Sequence, residues 1–307
     1  MHRTPEYDAF GPWIYQVRTP EEVPRLYRPH EVEVESAHLV LKVPRAIDRR
    51  DANPDMHLYD HLVVAGKDTL TVLSRRGDSY QTVQLPYRQI AAVEHSVSML
   101  DGRLVIHDVD GLQRGGVAVS LRYSAVSRGL IADLLEIVRA EVLAAHVPVE
   151  RPGRAPLPAS RLSDLHDVDT GLVSLQREIA ERRPGLVLLG AHPRAIVPRR
   201  GGRLVGLLDR FRPVTLHAAL VCADAGSLEL VHRREWFTSH PRPAWSVAHT
   251  VLMTAAVTAV GSHEHPRYEG VYRVHIASGR SLVEVSCPDG AESLTAIAGA
   301  LAGVRAI

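Results

Sequence analysis

The chain has 307 residues, 45% of them apolar and 23% charged, and a formal net charge of +1. That length is long for one core and fits two, and the composition is that of a globular protein with no global field for nucleic acid. Cys222 and Cys287 are the only cysteines, and Lys42 and Lys67 the only lysines among 36 basic residues, which excludes a disulfide scaffold, a cysteine zinc motif and most lysine chemistry.

Prolines at 5, 12, 20, 24, 29, 44 and 54 prevent long helices in residues 1–57. The segment reads as an extended arm with one strand near 39–43, and Phe10, Trp13, Ile14 and Tyr15 are able to dock on a core. From residue 58 the pattern sharpens. Segments 58–65, 69–75, 80–85, 90–99, 103–107 and 117–123 are short runs rich in β-branched residues. Gly66-Lys67-Asp68, Gly77-Asp78, Asp101-Gly102 and Asp110-Gly111 separate them, pairs that supply the positive φ of tight hairpins. A helix follows with Leu130, Ile131, Leu134, Ile137, Val138 and Val142 on one face and Ser127 at its cap. Residues 58–146 are therefore expected to form one strand-rich domain closed by a helix.

Residues 147–170 read as a linker, proline- and arginine-rich over 147–161. Asp169 or Thr170 then caps a helix presenting Leu172, Leu175 and Ile179, and Pro184-Gly185 stops it. Strands are expected at 186–190 and 195–198. The rest of the second domain, 171–307, repeats the first. Residues 62–76 match 220–234 at an offset of 158, residues 90–93 match 257–260 at 167, and Ile106-His107 with Gly111 match Val274-His275 with Gly279 at 168. The second half also ends on an amphipathic helix, lined by Leu294, Ile297, Leu301 and Val304 and started by the capping pair Asp289 and Glu292. The fold class expected is α+β, mainly β, as two repeated strand-rich domains.

Seven strands closed by one helix, with Ile-Ala-Ala-Val at 90–93, Met-Leu-Asp-Gly-Arg-Leu-Val-Ile at 99–106 and Val-Ala-Val-Ser-Leu at 117–121, resemble a bacterial pleckstrin-homology domain. The second copy is a looser match. The resemblance implies a curved sheet capped by a helix and a binding or scaffolding role. Lipid-binding members place basic residues in the first strand–strand loop. Here that loop offers Lys67 in the first copy and no cation in the second, so no specific phosphoinositide recognition is expected.

Several constellations carry possible chemistry. Asp108 and Asp110 stand as in the Asp-x-Asp-Gly motif that haloacid-dehalogenase phosphohydrolases use for phosphoryl attack and Mg²⁺, but no lysine or adjacent acidic pair follows to complete the set. His166-Asp167-Val168-Asp169-Thr170-Gly171 reads as a helix N-terminus rather than as half of an aspartic dyad. His263 and His265 alternate as metal ligands on one strand face would, yet sit where a loop is expected. Arg199, Arg200, Arg203, Arg210 and Arg212 surround apolar residues and could meet an anionic surface weakly and salt-sensitively. The pairs Arg75-Arg76 and Arg233-Arg234 occupy equivalent places in the two halves and could clamp an anion. The expectation is a non-enzymatic binding or scaffolding protein without a cofactor, its partner a protein, with at most weak anionic-membrane contact and no nucleic acid. A signal peptide or spanning segment is not apparent, since the longest apolar run, 247–260, falls short of the roughly 20 residues required. A cytoplasmic location is expected.

Overall fold

The computed structural model describes residues 4–111, 116–146, 165, 169–201, 209–239 and 245–306. It is mixed α+β and mainly β, with two sheet-rich regions, each followed by a helix. In the first region a short helix α1 (Pro5–Asp8) and strand β1 (Tyr15–Gln16) lead into β2 (Leu39–Pro44), β3 (Tyr59–Ala65), β4 (Thr69–Arg76) and β5 (Ser79–Pro86). These five strands form one antiparallel sheet in sequential order. Leu41, Val43, Val63, Ala65, Leu70 and Val72 project into the first core. Tyr59, Leu62 and Leu73 project the other way and are covered by Phe10, Val17 and Tyr27 of the N-terminal arm. The arm thus buries the second face of the sheet, which is why runs such as Leu62-Val63 are apolar without alternation.

Three further antiparallel strands follow, β6 (Ile90–Ser98), β7 (Asp101–Asp108) and β8 (Val117–Ser124), and then helix α2 (Arg128–Ala144). Helix α2 buries Ile131, Leu134, Val138 and Val142 of the expected stripe and also Leu135, while Leu130 and Ile137 are only partly buried. Each such side chain contributes about 1.5–3 kcal/mol relative to an exposed one.

The second region begins with α3 (Thr170–Arg182), whose Leu172 and Ile179 are buried on the sheet. Strands β9 (Val187–His192), β10 (Ala195–Val197), β11 (Val214–Leu216), β12 (Ala219–Ala223), β13 (Ser227–His232), β14 (Phe237–Thr238) and β15 (Ser246–Met253) follow. After them come β16 (Ala259–Glu264), β17 (Val271–Ser278), β18 (Ser281–Pro288), helix α4 (Glu292–Ala300) and β19 (Arg305–Ala306). Strands β10, β11 and β14 make a small separate sheet.

The two regions share a ladder. The largest sheet has seven strands in the order β8-β7-β6-β15-β13-β12-β9. At its centre β15 of the second region runs antiparallel to β6 of the first, from Ser246 opposite Ser98 to Leu252 opposite Ala92. One face of this sheet carries Val93 and Val251 into the first core and Val231 against α3. The other face carries Ala92, Leu230 and Leu252 into a second core shared with β17, β18 and α4. Arg234 locks the seam: its guanidinium donates to Asp101 Oδ2 at 2.6 Å and to Ser96 Oγ at 3.1 Å, both in the first region.

Hairpin registers correspond between the regions. Leu62 faces Leu73 in β3–β4, and Leu220 faces Val231 in β12–β13, both at the offset of 158. Thr69 faces Pro86, and Ser227 faces Met253, the latter residues separated by 167. The third match is displaced: Val93 faces Ile106 whereas Val260 faces Ile276, so Ile106 corresponds to Ile276 rather than to Val274. A two-residue displacement keeps the same face, because strand side chains repeat every second residue.

Local details differ from expectation where a side chain has a stronger partner. The β6–β7 turn lies at Met99-Leu100, with Met99 at φ 54°, and Asp101-Gly102 already belongs to β7. Gly77 does supply the expected positive φ, 65°, in the β4–β5 turn. Ser127 precedes α2 without capping it, because its Oγ accepts the Ile14 N–H at 2.9 Å and anchors the arm. Helix α4 starts after Ala291, which takes the cap position in place of the expected Asp289.

Candidate functional site

A small cleft, with a cavity volume of about 50 Å³, opens between α2 and α3 on the seven-stranded sheet, over the β6–β15 seam. Its apolar walls are Leu135 of α2, Leu175 and Ile179 of α3, and Val97 and Val247 of the two strands. His95 and His249 form its polar floor, and they are direct cross-strand neighbours in the β6–β15 pairing. Arg128, Glu136, Glu178 and Arg182 stand around them. Ligand clefts favour this composition, an apolar lining with a few polar groups at a boundary between units.

A buried ion network orients the floor. Glu229, in β13, is fully buried. Its carboxylate accepts from Arg183 Nη2 at 2.7 Å, from Ser227 Oγ at 2.8 Å and from His249 Nε2 at 2.8 Å. Arg139 of α2 lies 3.4 Å away and also pairs with Asp224. Arg183 reaches back to Glu136 at 3.2 Å. Burial alone would raise the Glu229 carboxyl, but the hydrogen bonds and charges of His249 and Arg183 outweigh it and hold the carboxyl well below the usual range. The hydrogen bond from His249 Nε2 to Glu229 fixes the orientation of the imidazole. His95 bonds the Tyr123 hydroxyl, and burial, reinforced by the charges of His249, Arg128 and Arg234, lowers its pKa to about 4. His95 is therefore a neutral imidazole near pH 7. Among the described residues that line the cleft there is no serine, threonine or cysteine.

A second network closes the same face. Asp169 is buried just before α3, and instead of capping the helix its carboxylate takes Arg194 at 2.8 and 2.9 Å and Arg233 at 3.0 Å. Arg233 is itself buried and donates to the Ser246 carbonyl at 2.7 Å.

The residues singled out in the sequence do not converge on this cleft. Arg75 pairs with Asp60 at 2.9 Å, and Arg76 meets Gln81 at 3.3 Å in an exposed turn. Arg233 and Arg234 are held by Asp169 and Asp101, so the equivalent arginine pairs have different environments. Asp108 Oδ1 accepts the Asp110 backbone N–H at 3.1 Å, a local turn contact. His265 is buried, stacks on Tyr268 at 4.7 Å and accepts the Arg267 N–H at 3.1 Å, whereas His263 is exposed and packs edge-on to His275 at 4.5 Å. Among the described residues no group of three or more His, Cys, Asp or Glu is placed to hold a metal ion. In the basic segment Arg199 is paired with Asp209 and Arg200 with Glu264, while Arg210 and Arg212 are exposed. Arg203 and His166-Asp167-Val168 lie outside the described residues.

The sequence reading passed over Glu229, His95 and His249. One signal was present: Glu229 is the lone acid in Ser-Leu-Glu-Leu-Val-His, a strand whose six residues are all buried. A carboxylate at such a position requires buried partners.

The chain is a mainly β α+β protein with a small cleft at the joint of its two sheet-rich regions. No protein-family model matches the chain, and no curated protein matches it. No helix among the described residues is long and apolar enough to cross a membrane.

Proposed function

We propose that this is a binding or scaffolding protein built from two pleckstrin-homology-like units fused through one sheet. The observation that carries the reading is the repeated order of parts. Strands β2–β5, then β6–β8, then α2 are mirrored by β9, β12, β13 and β15, then β16–β18, then α4, with the same hairpin register at β3–β4 and β12–β13. The insertion of β10, β11 and β14 accounts for the looser sequence match of the second unit. In this reading the cleft over β6–β15 is a binding site that exists only because the units are joined. Its apolar walls take the body of a small ligand, and its two imidazoles and Arg128 take the polar end.

The competing reading is a phosphohydrolase using Asp108 and Asp110. Against it stands the use of Asp108 as a turn acceptor for the Asp110 backbone. An Mg²⁺-supplemented phosphatase assay separates the two. The binding reading expects turnover no higher than a no-protein control, and the same value for Asp108→Asn. Phosphate release by the native protein that disappears in Asp108→Asn would overturn it.

A further inference from the structure

Large exposed apolar side chains are concentrated at one end of the seam. Met99 and Leu100, the tip of the β6–β7 hairpin, are 79% and 71% exposed, Trp245 is 70% exposed and Val126 is 62% exposed. The strand ladder places them together. Ser246 pairs with Ser98, so Trp245 stands opposite Met99 one step beyond the pairing. The Ala125 N–H donates to the Leu100 carbonyl at 2.9 Å, which sets Val126 beside the hairpin. The Ile14 N–H donates to Ser127 Oγ, which brings Trp13 to the same end. Trp13 comes from the arm, Met99, Leu100 and Val126 from the first region and Trp245 from the second, so the patch is assembled by the seam.

A hairpin does not need apolar residues at its turn. Met99 adopts φ 54°, a conformation that glycine or asparagine accepts more readily, so the turn carries a bulky apolar residue against local preference. Contiguous exposed apolar surface of this kind marks an interaction site. The charge around it has one sign in excess. Arg103 and Arg122 are exposed cross-strand neighbours just below the tip, and Arg128 is exposed at the start of α2. The acid among them, Asp101, is already held by Arg234 and Arg122.

We propose that this tip docks on an anionic phospholipid surface, with Met99 and Leu100 entering the acyl boundary, Trp245 and Trp13 at the headgroup level and the arginines on the anionic headgroups. A projecting two-residue turn fits a soft, flat surface better than it fits a rigid partner with no matching pocket. Tryptophan beside aliphatic residues and arginine is the composition that partitions to such an interface. This location differs from the segment 199–212, where Arg199 and Arg200 are taken up by Asp209 and Glu264.

The test is sedimentation of the full chain with phosphatidylcholine vesicles, with and without phosphatidylglycerol, at low and at physiological salt, with tryptophan emission read in parallel. The expected result is binding that needs phosphatidylglycerol and weakens with salt, accompanied by a blue shift. The double variant Met99→Ser, Leu100→Ser alters only exposed side chains, and its fold is checked by circular dichroism. It is expected to lower the partition coefficient at least about tenfold, since two large apolar side chains lose their burial. Arg199→Gln with Arg200→Gln is expected to bind as the native chain does. The proposal is overturned if the native chain ignores anionic vesicles, or if the serine double variant binds them unchanged. It is equally overturned if the patch instead drives concentration-dependent self-association, lost in the serine variant, in the absence of vesicle binding.

Discussion

Lowering the pH from 7 to 5 is expected to remove several kcal/mol of folding stability. Burial lowers the pKa of His192 and His232 to about 4. Both rings are satisfied as neutral imidazoles. His192 donates from Nε2 to the His217 carbonyl at 3.1 Å and bonds Ser293 Oγ at 2.7 Å through Nδ1. His232 donates from Nδ1 to the Arg233 carbonyl at 2.6 Å, bonds Thr250 Oγ1 at 3.0 Å and stacks on Trp236 at 4.5 Å. A second ring proton would face a hydroxyl in a dry site. With the folded pKa below the unfolded value, the unfolded chain binds more protons between pH 6.5 and 4. Stability is therefore complete above about pH 7 and falls as the pH drops through that window. At pH 5 each of these two histidines costs about 2 kcal/mol. His95 and His217, also lowered to about 4 chiefly by burial, add in the same direction. Denaturant unfolding at pH 7, 6 and 5 checks this. A midpoint that stays constant across that range would contradict it.

Glu229→Ala is expected to destabilise the protein by about 3–5 kcal/mol, the cost of leaving buried cations without their anion. The carboxylate binds Arg183 after α3, His249 on β15 and Ser227 on its own strand, with Arg139 of α2 beside it. One group thus ties α2 and α3 to the sheet under the cleft. Glu229→Gln keeps the volume and some hydrogen bonds, so a smaller loss is expected. Asp48→Ala serves as the reference, because the Asp48–Arg50 pair is largely exposed and such pairs add little. Chemical unfolding monitors all three. A Glu229→Ala midpoint equal to that of Asp48→Ala would show that the network does not hold the helices.

Much of the fold was legible because the first region states its strands plainly. The run expected at 69–75 is β4 at 69–76, that at 90–99 is β6 at 90–98, and Ile131, Leu134, Val138 and Val142 of the α2 stripe are buried as their spacing required. What was not legible depends on partners distant in sequence. Ser127 and Asp169 look like helix caps locally, but Ile14 and the Arg194–Arg233 pair claim them. Strand β2 lies inside the arm by sequence, yet it is a full member of the first sheet. The β6–β15 seam has no local signature, since edge-to-edge pairing is set by which strand ends are left open after each hairpin closes. The cleft was hidden for the same reason. His95 and His249 are 154 positions apart and meet only across that seam, and neither carries a motif.

The seam is the central structural claim, because the cleft exists, and Trp245 joins the apolar tip, only if β15 pairs with β6. Native-state amide hydrogen exchange measures it directly. Residues 92–98 and 246–252 are the interior of a seven-stranded sheet, so their hydrogen-bonded amides are expected to exchange only through global unfolding, as slowly as those of β4. Both segments should open together in one cooperative event. If these amides exchange rapidly while the rest of each region stays protected, or if the two regions open in separate transitions, the shared sheet is contradicted.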